Sequence, residues 1–98
     1  MQTVKFPLKV AFYKKGEMIY FSQLDIYHLL VRALRRSNLS LYFTQGFNPR
    51  VKISFSSALK LGVEGEIEST LYFSKKITFE ELEKALQPQL PQGLEIKE

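Results

Sequence analysis

Apolar and polar side chains alternate from Val4 to Tyr13. Val4, Phe6, Leu8, Val10 and Phe12 fall on one face, and Lys5, Pro7, Lys9, Ala11 and Tyr13 on the other. A period of two predicts a half-buried strand. Pro7 has no N–H to give a ladder, which places the beginning of that strand at an edge or outside the pairing. Lys14-Lys15-Gly16-Glu17 reads as a turn, because Gly16 can take positive φ. Met18–Phe21 reads as a short return strand that makes a hairpin with the first.

The period then changes. Leu24, Tyr27, Leu30, Val31 and Leu34 recur at helical spacing and predict a helix from about Gln23 to Ser37. Ser22 suits the N-cap, with Asp25 three residues on to complete a capping box and favour the positive helix end. Arg35 and Arg36 fall in the last turn, and Asn38 suits the stop. Leu39–Phe43 predicts a short strand, and Thr44-Gln45-Gly46-Phe47-Asn48-Pro49-Arg50 a polar loop. Alternation returns at Val51, Ile53, Phe55 and Ser57, then again at Ile67, Ser69, Leu71 and Phe73 after a turn over residues 61–65. Thr78 and Glu81 form a second capping box. Phe79, Leu82, Ala85 and Leu86 supply the buried stripe of a second helix that ends before Pro88. Leu94–Lys97 predicts a last short strand.

This order predicts an α+β fold: a ferredoxin-like β-α-β-β-α-β plait, an antiparallel sheet with two helices on one face and an extra short N-terminal hairpin strand. At 98 residues the chain has the length of one domain, spanning residues 1–98. With no cysteine, disulfides, thiolate metal sites and thiol nucleophiles are excluded, and a single histidine argues against a histidine-built metal site. No apolar run approaches the ~18 residues of a membrane helix, and the N-terminus lacks the apolar region of a signal peptide. A cytoplasmic bacterial or archaeal protein without a membrane partner is the expectation.

Charge is divided unevenly. Residues 1–60 carry a net +8 and residues 61–98 a net −4. A basic face for an anionic partner such as nucleic acid follows, beside the plainer reading of a solvated surface that happens to be basic. Arg32 and Arg36 are one helical turn apart and Arg35 lies about 100° away. With Arg50 and Lys52 they suit phosphate, since guanidinium forks pair well with it; they equally suit compensation of the helix dipole. In the loop, Phe47 can stack on an unpaired base while Gln45 and Asn48 read its edge, or Phe47 can plug the core while Asn48 makes an Asx turn. Ser22, Gln23 and Asp25 either line a pocket beside the loop or cap the helix. His28 reads as an exposed or partly packed residue before it reads as a general base. Glu64, Glu66 and Glu68 suit a solvated acidic edge better than a divalent cation site. Tyr13, Tyr20, Tyr42 and Tyr72 offer a weaker aromatic platform on an open sheet face.

Several of these segments together carry a resemblance. They are Ser22-Gln23-Leu24-Asp25, Arg32-Ala33-Leu34-Arg35-Arg36, Thr44-Gln45-Gly46-Phe47-Asn48-Pro49, Lys52-Ile53-Ser54-Phe55 and residues 61–68. In that order they resemble the radical-SAM-linked domain of unknown function, a bacterial family found beside or fused to radical-SAM proteins and sometimes with a ribonuclease E/G-type protein. The resemblance covers about half the chain, from Gly16 to Glu68. It implies a radical-SAM protein as partner and RNA as a second one, and it supplies no mechanism. The family is about twice as long, so the chain would correspond to its N-terminal half. Gln23 stands where the family usually has His, and Arg50 where it often has His, which argues against carrying a metal or proton-transfer role over to those two positions.

The combined expectation is a non-catalytic binding module associated with radical-SAM proteins. It would hold RNA or another anionic substrate through Arg32, Arg35, Arg36, Gln45, Phe47, Asn48, Arg50 and Lys52. No catalytic residue, metal or cofactor is assigned. The alternatives are a protein-interaction domain that docks a radical-SAM enzyme and, less favoured, an RNA-processing enzyme for which only His28 and tyrosines could supply acid–base groups.

Overall fold

The computed structural model describes residues 4–56 and 60–98. Strand β1 (Phe6–Lys14) leads through a 3-10 turn (Gly16–Tyr20) to helix α1 (Gln23–Arg36). Strands β2 (Ile53–Phe55) and β3 (Gly65–Phe73) follow, then helix α2 (Phe79–Leu86), a 3-10 turn (Gln87–Gln89) and strand β4 (Leu94–Lys97). The four strands form one sheet in the order β2-β3-β1-β4, and every pairing in it is antiparallel.

Alternation along the strands sorts the two faces of the sheet. Val10 and Phe12 of β1, Ile67, Leu71 and Phe73 of β3, and Leu94 and Ile96 of β4 are buried. They join Ile26, Leu30, Ala33 and Leu34 of α1 and Leu82 and Leu86 of α2 in one apolar cluster. Burying each such Leu, Ile or Phe contributes about 1.5–3 kcal/mol, so this face holds the fold together. Ser69 sits among them, its hydroxyl donating to the Val10 carbonyl at 2.9 Å, which satisfies the one polar group β3 sends inward.

Both capping boxes form. The Ser22 hydroxyl accepts from the Asp25 N–H at 3.1 Å while the Ser22 N–H donates to the Asp25 carboxylate at 3.0 Å. Thr78 and Glu81 reciprocate in the same way at 3.2 and 3.0 Å. Asn38 takes φ +64° just beyond α1, the left-handed conformation that suits a helix stop. The buried stripe of α1 is rotated from the expected one. Ile26 and Ala33 belong to it and Leu24 is 64% exposed.

Three expectations change. Met18–Phe21 is no return strand: Met18–Tyr20 belong to the 3-10 turn and Phe21 caps it, with the Met18 N–H donating to the Lys15 carbonyl and the Phe21 N–H to that of Met18. The extra hairpin strand has no place to pair, because the end of β1 is already flanked on both sides: Lys14 is in register with Gly65 of β3 and with Leu94 of β4. Leu39–Phe43 contributes only the bridges Leu41–Phe73 and Phe43–Val51. Regular pairing after the loop is confined to Ile53–Phe55, with Ser57 of the expected strand lying outside the described residues. Pro7 is in register with Tyr72, yet β4 reaches only Ala11–Lys14, so Pro7 sits where β1 has a single neighbour.

Lys14 shares the inner face with Val10 and Phe12. It is 1% exposed, and its ammonium donates to the Phe21 carbonyl at 3.2 Å. Burial pushes its pKa below the usual lysine range. On the outer edge of β4, the Gln87 carboxamide replaces a strand. Its Nε2 donates to the Leu94 carbonyl at 3.2 Å and its Oε1 accepts from the Ile96 N–H at 2.9 Å.

Two outcomes follow. Gln87→Ala will cost about 1–3 kcal/mol in chemical denaturation, because two backbone groups on β4 lose their partner. For Lys14, the folded pKa lies below the unfolded one, so the unfolded chain binds more protons in the window between them and stability rises with pH there. Measured against Lys14→Met, the wild type will gain stability as pH climbs through the alkaline range below ~10.4. A flat difference would show that Lys14 titrates alike in both states.

Candidate functional site

The polar loop is the tip of a hairpin at the β2 edge of the sheet. Tyr42 N–H donates to the Tyr72 carbonyl at 3.2 Å, and Lys52 N–H donates to the Tyr42 carbonyl at 3.1 Å. Thr44 closes the tip, its N–H donating to the Arg50 carbonyl at 2.8 Å and its hydroxyl accepting from the Arg50 N–H at 3.0 Å. Gly46 takes φ +128°, a conformation that favours glycine. Gln45, Gly46, Phe47, Asn48, Pro49 and Arg50 are all exposed, and Phe47 is completely so at 104%. Phe47 therefore does not plug the core. An exposed aromatic ring at a loop tip contributes nothing to burial, and folding alone gives no reason for it.

Behind this tip, α1 and the hairpin enclose a groove of about 240 Å³ lined by Tyr27, His28, Val31, Arg35, Arg50 and Val51. Spacing on the helix explains the first four: residues 27, 28, 31 and 35 lie within one face. The Tyr27 hydroxyl donates to the Val51 carbonyl at 3.3 Å and fixes the helix against the hairpin. The Tyr27 and His28 rings meet edge to face at 5.4 Å. The Arg35 guanidinium lies 5.6 Å from the centre of the Phe43 ring, an arrangement worth about 0.5–1 kcal/mol at an exposed position. An arginine in such a cation–π contact can still offer its N–H groups to an anion.

The five cations proposed for phosphate are thereby divided. Arg35 and Arg50 share the groove. Lys52 points to the opposite side of the hairpin, with its ammonium 5.2 Å from the Tyr72 ring centre. Arg36 is tied to the segment after α2, its Nε donating to the Gln89 side-chain oxygen and its Nη2 to the Gln89 carbonyl, both at 3.1 Å. Arg32 is exposed on α1 outside the groove lining. Gln45, Phe47 and Asn48 stand together at the tip. Ser22 and Asp25 are engaged in capping, and the backbone bond from Ser22, followed by its hydroxyl, holds the Asp25 carboxyl below its ordinary range. Tyr27 and Phe43 are not among the site residues the sequence singles out, and His28 is weighed there only as a general base. The signal for them was the i, i+4, i+8 series Tyr27–Val31–Arg35 and the position of Phe43 one residue before the loop.

The acidic side of the molecule is organised separately. The Tyr13 hydroxyl donates to Glu64, and that bond, ahead of burial, pushes the Tyr13 pKa up. Glu95 pairs with Lys15 at 2.8 Å and with Lys97 at 3.7 Å. Among the described residues no group of three or more His, Asp or Glu converges to hold a metal ion. No helix among them is long and apolar enough to cross a membrane.

The model of a family described as "Uncharacterized protein conserved in bacteria (DUF2344)" matches residues 8–98. No curated protein and no solved structure matches the chain.

The division of the arginines is testable by stability. Arg36→Ala will lower the unfolding free energy by about 1–2 kcal/mol through the loss of its two bonds to Gln89. Arg50→Ala will change it by less than about 0.5 kcal/mol. Equal losses in urea denaturation would show that both arginines serve the fold.

Proposed function

We propose that this chain, which belongs to the family of uncharacterized proteins conserved in bacteria (DUF2344), is a binding module that holds RNA or a related anion in the groove behind the hairpin tip. The observation that carries this reading is the convergence of Arg35 and Arg50 on one groove beside the fully exposed Phe47. Two guanidinium groups supply the charge and the fork geometry that phosphate oxygens accept. Phe47 supplies a ring for an unpaired base, and Gln45 and Asn48 supply donors and acceptors for its edge. The chemistry is recognition: phosphate positions the strand, and the loop discriminates. The strand order and antiparallel register support reading the fold as a ferredoxin-like plait with both helices on one face. Association with a radical-SAM protein is supported by the motif resemblance between Ser22 and Glu68.

A second reading, docking onto a radical-SAM protein, is favoured by exposed apolar side chains near the start of α1. Tyr20, Phe21 and Leu24 lie there, and the Gly62 N–H bond to the Ile19 carbonyl brings Leu61 and Val63 alongside. A complex that survives nuclease and moderate salt would select this reading.

Fluorescence anisotropy with a single-stranded RNA oligonucleotide tests the first reading. Binding should fall steeply with salt, and Arg35→Gln with Arg50→Gln should weaken it about tenfold or more and flatten the salt dependence. No binding at low ionic strength, or binding that survives both substitutions unchanged, would overturn it.

A further inference from the structure

The face of the sheet turned away from the helices carries its own basic cluster. The register that buries Val10, Leu71 and Phe73 sends Lys9, Thr70 and Tyr72 outward. Tyr72 gathers two lysines. The Lys5 ammonium lies 5.3 Å and the Lys52 ammonium 5.2 Å from its ring centre. The ring quadrupole attracts both cations, although they repel each other. Among the described residues neither lysine is ion-paired with a carboxylate, whereas Lys15 and Lys97 both pair with Glu95. Those belong to the other end of the sheet, where Tyr13 of β1 is in register with Glu66 of β3 and Glu95 of β4. The open face is thus polarised along the strands, basic where Phe6 meets Phe73 and acidic where Lys14 meets Gly65.

The hairpin connects this cluster to the groove. Leu41 packs on the core, so alternation turns Tyr42 to the open face and Phe43 to the helix side, where Arg35 covers it. On the returning segment Val51 is buried against α1 and lines the groove, while Lys52 faces Tyr72. Arg50, which lines the groove from the loop end, and Lys52, which lies over Tyr72, place charge on both sides of one narrow ribbon whose tip is Phe47.

We propose that Lys5, Tyr72 and Lys52 form a second phosphate-binding subsite, and that the ligand is a single-stranded polynucleotide passing around the hairpin from the Arg35–Arg50 groove onto the open sheet face. The inference rests on the groove being an anion site and adds the class of ligand. A small phosphorylated compound fills one side only. A duplex, stiff over about 150 base pairs, does not fold around a two-stranded ribbon. A single strand bends freely, offers a phosphate at each nucleotide, and presents bases to Phe47 midway.

Oligouridylates of about 4 and about 12 nucleotides, within the range of single-strand site sizes, provide the test with the full chain. The longer one should bind the wild type about tenfold or more tightly than the shorter. Lys5→Gln with Lys52→Gln should remove most of that gain and lower the salt slope for the longer strand by about 1.4, two contacts at ~0.7 each. Lys5→Arg with Lys52→Arg should restore both, and thermal melting should be unchanged in all variants. If the longer strand binds Lys5→Gln with Lys52→Gln as it binds the wild type, while Arg35→Gln with Arg50→Gln abolishes binding, the second subsite is overturned and the groove reading stands. If neither strand binds the wild type at low salt, both readings are overturned, as they are if only an acidic protein binds.

Discussion

β1 is paired with β3 along all nine of its residues and with β4 over Ala11–Lys14. A strand flanked on both sides has one face for helices and one for solvent, and every other element takes its place from that division. The helix-side face of β1 collects the buried residues of both helices in one cluster. The same double pairing forces the chain after Lys14 out of the sheet and into a 3-10 turn. It also carries a lysine inward at the end of the strand, where burial is offset by a single carbonyl acceptor.

Local patterns were legible in the residues themselves. Ser22 with Asp25 and Thr78 with Glu81 mark the helix starts because a capping box is complete within four residues. Alternation over Ile67–Phe73 and at Leu94–Lys97 marks strands because burial on one face needs nothing beyond the segment. What was not legible is non-local. Met18–Phe21 has the composition of a strand, and only the occupancy of both edges of β1 denies it a partner. Lys14 looks like turn material until the register places it opposite Leu94. Arg36 looks like one of a basic group until Gln89, fifty-three positions away, accepts from it twice.

The same distinction governs the candidate site. Gln45, Phe47, Asn48 and Arg50 stood out by composition, as polar and aromatic residues between two apolar runs, and the structure leaves them exposed. The groove depended on where the hairpin lies against α1, and so on Tyr27 and Phe43, whose roles arise from contacts to Val51 and Arg35. Lys52 is close to Arg50 in the charge count, yet its ammonium lies over Tyr72 while Arg50, at the end of the loop, lines the groove.

The short segment Gln87–Pro88–Gln89 meets three elements at once. It follows α2 directly, Gln87 closes the free edge of β4, and Gln89 receives Arg36 from the end of α1. Three residues thereby join the closing turn of one helix to the outer strand of the sheet. Loosening that segment releases both attachments together, so the end of α1 and β4 share one opening free energy and behave as a single cooperative unit of local unfolding. The hairpin tip, closed by the Thr44–Arg50 bonds, lies outside that unit.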